Sequence, residues 1–178
     1  MRPFLIFLAL TGGLEGALAQ DEVGQRQDLM KEIASAMNRI NRIFRGEEPY
    51  DGETLRRAAE VVRSRAGKTM IELFPGTSGS TTSQARPEIW ERKDEFNELA
   101  LYLERFAGTV AEAGTDNPDE LTDAMRMQPG TSMGGGSLLG NRGSVWPSAD
   151  EDVAAEHAFH LMMETCTSCH AGFRYRRE

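Results

Sequence analysis

The sequence is poor in several features that would direct its reading elsewhere. It holds only 2 cysteines, both near the C-terminus. It is short of positive charge, with a formal net charge of -8. That balance argues against nucleic acid or an anionic membrane surface as a partner and suits a solvated surface. No apolar run is long enough to span a bilayer. No stretch alternates in the manner of a strand, and no internal repeat of 20–50 residues is present. What remains is a chain of 178 residues, a length that suits one domain, with 39% hydrophobic residues, enough for a core without excess.

The first segment reads as an export signal. Arg2 supplies the positive start, Phe4 to Leu14 a short apolar stretch, and Ala17-Leu18-Ala19 a small-residue cleavage motif. Residues 1–19 are therefore expected to be a signal peptide and 20–178 the mature domain, delivered to the periplasm. Export places the two cysteines in an oxidising compartment, where free thiols are rarely left idle.

The mature region has the periodicity of helices. Arg26, Met30, Ile33, Met37, Ile40 and Phe44 recur at three-four spacing and predict a first helix over 21–44. Gly46, Pro49 and Gly52 break it. A second helix is expected over 52–73, with Leu55, Ala59, Val62, Ala66, Thr69 and Leu73 inward. A loop rich in Gly, Ser and Thr follows. The third helix should start near Pro87 and carry Phe96, Leu99, Leu103, Phe106 and Val110 inward. Asn117-Pro118 is placed to cap a short helix, DELTDAMRM. Residues 128–148 have no periodicity and many glycines, and read as a flexible insertion with Trp146 and Leu138-Leu139 as its apolar handles. A last helix, capped by Ser148 or Asp150, should run through Phe159, Met162, Cys166 and Phe173. The fold class expected is all-α, a four-helix bundle.

Cys166-Thr167-Ser168-Cys169-His170 is the segment that carries chemistry. Two cysteines at this spacing lie one helical turn apart on roughly one face. Thiols so placed can add to the two vinyl groups on one edge of a porphyrin, and a histidine directly after the second can reach the iron. A structural zinc site would need four ligands where the motif offers three. His157 and His160 lie on the same helix, and one helix does not wrap a tetrahedron. A thioredoxin-like pair would follow a strand, and none is expected. A plain disulfide remains the simple alternative.

Four stretches give the chain a family resemblance. RQDLM (Arg26 to Met30), FPGT (Phe74 to Thr77), RPEIW (Arg86 to Trp90) and CTSCHAGFR (Cys166 to Arg174) occur in the order found in class II cytochromes c, the cytochromes c′ and their low-spin relatives. The resemblance covers nearly all of the mature chain except the glycine-rich insertion. It implies a four-helix bundle with one covalently attached haem c near the C-terminus, held by Cys166 and Cys169, with His170 as proximal iron ligand. It also implies that Arg26, Gln27 and Arg174 make polar contacts to the haem and its propionates; an arginine fork suits a carboxylate.

Met30 occupies the position that in the family faces the open side of the iron. A thioether there either binds as sixth ligand, giving a low-spin centre suited to electron transfer, or packs above an open site able to take nitric oxide or carbon monoxide. The expected function is periplasmic electron carriage, with gas binding as the alternative and no enzymatic activity, since Leu29, Ile33 and Ala34 beside Met30 offer no acid or base. The sequence names no redox partner. A homodimer through the first two helices is an expectation of the resemblance, and the polar outer face of the first helix, with Asn38, Arg39, Arg42 and Arg45, weighs against it.

Overall fold

The computed structural model describes residues 14–76, 83–128 and 153–176, with side chains from Glu22 onward. Its helices are α1 (Leu14–Phe44), α2 (Gly52–Arg65), α3 (Gly67–Glu72), α4 (Glu88–Glu91), α5 (Lys93–Asp116) and α6 (Ala155–Phe173), with a 3-10 turn at Asp123–Met125. The four long helices alternate in direction and pack as an all-α bundle, as the periodicity predicts. α2 lies along α5, α5 against α6 and α1 against α2, while α1 and α6 share little contact.

α1 ends where its sequence stops supporting a helix. Gly46 takes a positive φ of 70°, and the N–H groups of Gly46 and Glu47 return to the carbonyls of Ile43 and Arg42. Arg39 and Arg42 both reach Glu48 beyond the turn, and Arg45 reaches Glu47. Any dimer formed through this face would cover those charged pairs. α1 starts at Leu14, inside the segment expected to be removed on export. It is longer than the predicted 21–44 for that reason.

α2 is capped by Asp51, whose carboxylate accepts from the Thr54 N–H at 2.8 Å. Leu55, Ala58, Ala59 and Val62 are buried against α5, where Phe96, Leu99, Leu103, Phe106 and Val110 form the predicted stripe. Where α2 begins, the backbones nearly touch. A Cβ on Gly52 would stand 2.5 Å from the Gly114 carbonyl oxygen and 2.6 Å from that of Asn117.

Three predicted elements are corrected. The helix expected over 52–73 is broken: Ala66 is extended and Gly67 has φ 52°, where a side chain would meet Glu104. The break turns the following segment, so Met70 is buried while Thr69 is exposed and Leu73 half-buried. The helix expected from Pro87 is split into α4 and α5 by the non-helical backbone of Arg92. DELTDAMRM forms only the 3-10 turn. Here Asn117 donates back to the Ala113 carbonyl and accepts from Thr122, and the chain then runs so as to bury Met125 beside Tyr50. Ser148, Asp150, Trp146 and Leu138-Leu139 lie outside the described residues, as does the insertion apart from Gln128.

Both feet of the insertion are fixed. Arg126 Nη1 donates to the Phe44 carbonyl at 2.6 Å and to Glu156 at 3.2 Å, and Glu156 also accepts from the Met127 N–H at 2.9 Å. The chain leaves and re-enters the bundle at one clamped point, at the end of α1 and the start of α6.

Two predictions follow from this packing. Gly52→Ala should lower stability by about 1–3 kcal/mol, because the added methyl meets backbone that cannot rotate away; urea unfolding measures it, and an unchanged midpoint would contradict the close approach. Replacing 129–147 by a short linker should leave the thermal midpoint and visible spectrum nearly unchanged, because the clamp already closes the loop.

Candidate functional site

α6 presents one face to the core through Phe159, Met162 and Phe173, with Cys166 and His170 on the same side and Cys169 one turn from Cys166. Cys166 and Cys169 are free and half-buried. Burial pushes the Cys166 thiol up to about 11 and the Cys169 thiol up to about 12, the second also feeling its neighbour. Thr165, fully buried beside them, satisfies its hydroxyl by donating to the Leu161 carbonyl at 2.7 Å. His170 has an exposed rim, yet enough protein surrounds its ring to lower its pKa, with the Arg174 charge acting in the same direction.

The end of α6 is locked to the rest of the bundle by aromatic rings. Phe173 meets Phe96 edge-on at 5.6 Å, and Phe96 meets Phe74 at 5.0 Å. The Arg26 guanidinium lies 4.4 Å above Phe74, and its Nε donates to the Leu73 carbonyl at 2.5 Å. This places Arg26, buried on α1, at the same end of the bundle as the thiols. At the other end α1 meets α6 through Phe44 and Phe159, 5.7 Å apart.

That contact fixes which flank of α1 looks towards α6. Phe44 shares a helical stripe with Met37, Met30 and Arg26; Leu29, Ala36, Ile40 and Ile43 form the neighbouring stripe, which is buried. Met30 and Met37 are half-buried and packed against the core. Measured along the antiparallel helices from the Phe44–Phe159 contact, Met37 lies level with Cys166 and Met30 within about one turn of His170. The innermost position expected for Met30 belongs to Leu29. Sequence periodicity does not separate the two, because both fall within one broad apolar face. Gln27 is exposed on α1, and Arg174 is exposed beyond the end of α6, with its guanidinium on Gln84.

The residues present fit a haem. Three buried donors at this end have no partner among the described residues: Arg26 Nη1, Arg86 Nε and Trp90 Nε1. Buried donors without acceptors are costly, and a group bearing carboxylates would satisfy them. The half-buried thiols one turn apart supply the attachment chemistry, and the adjacent imidazole is a haem ligand type. Among the described residues no group of His, Cys, Asp and Glu is arranged to hold a bare metal ion. Trp90 and Gln84 emerge from the structure alone. Trp90 was legible only as the end of RPEIW, and Gln84 carries no periodic or motif signal.

A bundle of four long helices, with a half-buried dithiol and a following histidine on the last, defines a helical c-type cytochrome. The chain belongs to the cytochrome c′ family, whose model, described as "Cytochrome C'", matches residues 21–131. Among its relatives, cytochrome c-556 of Agrobacterium tumefaciens is 33% identical over 59% of this chain and 84% of its own length. Cytochrome c-554 of Cereibacter sphaeroides is 35% identical over 65% of this chain and 83% of its own. A solved cytochrome c′ from Shewanella frigidimarina superposes with a TM-score of 0.63 at 17% identity, covering 89% of this chain and 97% of that one, a likeness of fold. A nitric oxide complex of an Alcaligenes xylosoxidans cytochrome c′ variant superposes with a TM-score of 0.61 at 21% identity, over 89% and 97%. The protein is thus a non-enzymatic haem protein with one covalent c-type haem. No described helix is long and apolar enough to cross a membrane.

The raised thiols yield a measurable consequence. In protein produced without haem attachment, reaction with Ellman's reagent at pH 8 should be roughly a hundredfold slower in the fold than in concentrated urea. The same burial makes that apoprotein fold fully stable with respect to these groups below pH 9.0. Stability then falls as the pH rises towards 11, because the unfolded chain sheds thiol protons that the fold retains. Equal reaction rates in and out of urea would contradict the burial.

Proposed function

We propose that this protein is a periplasmic electron carrier. Cys166 and Cys169 would hold the haem by thioether links, and His170 and Met30 would be the ligands to its iron. The observation that carries the reading is the place of Met30, a flexible thioether on the flank of α1 that faces α6, within about one turn of the level of His170. When bound, the haem supplies a one-electron couple, and a soft sulfur ligand raises its potential.

The chain's own residues do the rest. Arg26, buried with Nη1 unpartnered, is placed to donate to a propionate, with Gln27 beside it at the exposed rim; the Arg174 guanidinium, beyond His170, lies on Gln84 Oε1. Phe74, Phe96 and Phe173 seal the end of the core against water. The export signal expected at 1–19 and the typical location of the family support the periplasm. No redox partner is identified by any residue. A dimeric assembly is supported only by a solved cytochrome c′ described as having ligand-controlled dimer dissociation.

The second reading, a five-coordinate gas-binding protein, is favoured by the nitric oxide complex among the structural relatives and by Met30 being only half-buried.

Two measurements test the proposal. The haem of the holoprotein should resist extraction by acidified organic solvent, and the Cys166→Ala/Cys169→Ala variant should release it; release from the parent protein would overturn the attachment. The oxidised protein should be low-spin with a weak far-red sulfur-to-iron band, and Met30→Ala should abolish that band and admit carbon monoxide in the reduced state. A high-spin parent that binds carbon monoxide at once would transfer the function to gas binding.

A further inference from the structure

Arginines in this acidic chain are mostly neutralised by carboxylates: Arg39 and Arg42 by Glu48, Arg56 and Arg57 by Glu53. Arg174 is held differently. Its Nε and Nη2 both donate to one oxygen, Gln84 Oε1, at 3.1 and 2.9 Å. A guanidinium has donors only, so it fixes the amide with its oxygen inward. A neutral acceptor orients the fork as a carboxylate would and leaves the charge uncancelled.

Gln84 is itself built in. The Tyr175 N–H donates to the Gln84 carbonyl and the Arg86 N–H to the Phe173 carbonyl, each at 2.9 Å, around an antiparallel bridge between Ala85 and Arg174. This clasp joins the segment before α4 to the end of α6. Arg174 follows His170 by about one helical turn, and its N–H donates to the His170 carbonyl at 3.2 Å.

We propose that Gln84 is a positioning residue for the haem iron, holding the Arg174 guanidinium with its charge intact beside His170 and so raising the reduction potential. The proposal rests on the reading of His170 as an iron ligand and deepens it. A fixed positive charge favours the reduced iron, which carries one positive charge fewer. The amide matters because it confers position without neutralisation, which neither a carboxylate nor an apolar residue does.

The test uses the holoprotein, equilibrated with a dye couple of known potential. Gln84→Ala frees the guanidinium into solvent. Gln84→Glu keeps it in place and cancels its charge. Both should move the equilibrium towards oxidised haem, by roughly threefold. Gln84→Glu should do so with no loss of thermal midpoint, since it exchanges an amide contact for an ion pair, and its shift should shrink with added salt. In an Arg174→Gln background, Gln84→Ala should have no further effect on the potential. Unchanged potentials in both single variants, or a shift that persists without Arg174, would overturn the proposal. Failure of the underlying ligand reading has its own signature, a visible spectrum unaltered by His170→Ala.

Discussion

One face of α6 has to satisfy two demands at once. Phe159, Met162 and Phe173 must be buried to hold the helix in the bundle, and Cys166, Cys169 and His170 must stay accessible on the same side or one turn from it. The fold meets both by gripping α6 at its ends. Phe44 against Phe159 fixes one end, and the Phe74–Phe96–Phe173 series with Arg26 fixes the other. Between these grips α1 and α6 share little contact, so the thiols are half-buried rather than sealed. The spacing of α1 from α6 is a consequence of large rings at the two ends and smaller or flexible side chains, Met30 and Met37 among them, between.

The other side of the bundle makes that arrangement tolerable. Leu55, Ala59 and Val62 of α2 meet the stripe from Phe96 to Val110 on α5, and Gly52 and Gly114 allow the backbones to approach where α2 starts. Small residues at a helix crossing exchange side-chain volume for close packing, and any added methyl there meets main chain. The α2–α5 pair therefore serves as a rigid back, against which α1 and α6 can stand apart. Gly67 adds a second adjustment: its left-handed backbone redirects α3, so that the chain delivers Leu73 and Phe74 to Arg26.

Legibility in the sequence tracks how local the cause is. The α5 stripe and the CxxCH-type segment were readable because each is governed by spacing within one helix. The break at Ala66-Gly67 was not, since a single glycine inside an apolar periodicity is compatible with a continuous helix. Its left-handed backbone suits glycine, and Glu104 of another helix occupies the space a side chain would need. DELTDAMRM has helical propensity, yet the hydrogen bonds of Asn117 and the burial of Met125 beside Tyr50 settle its path, and both involve residues far apart in sequence. The same distinction separates Leu29 from Met30. Only the Phe44–Phe159 contact, which sets the side on which α6 meets α1, separates the two flanks on which these residues stand. Gln84 lies at the far extreme, since its partner is ninety positions away and its own segment has no period.

Charge follows the same division. On α1 and α2 the arginines lie on nearby carboxylates at exposed sites, pairs that contribute little to stability and mainly keep the surface solvated. At the α6 end arginines bind other things as well: Arg26 takes a ring face and a carbonyl besides Glu22, Arg92 lies over Phe173 besides pairing with Glu95, and Arg174 takes an amide oxygen. Ring faces, carbonyls and amides orient a guanidinium without cancelling its charge. A chain with a formal net charge of -8 thus keeps one guanidinium, that of Arg174, on a neutral partner close to His170. Net charge describes how the protein meets solvent. What a carboxylate-bearing cofactor meets is the local field of a few guanidinium groups, among them Arg26, whose Nη1 is unpartnered beside its Glu22 pair, and Arg174 on an amide.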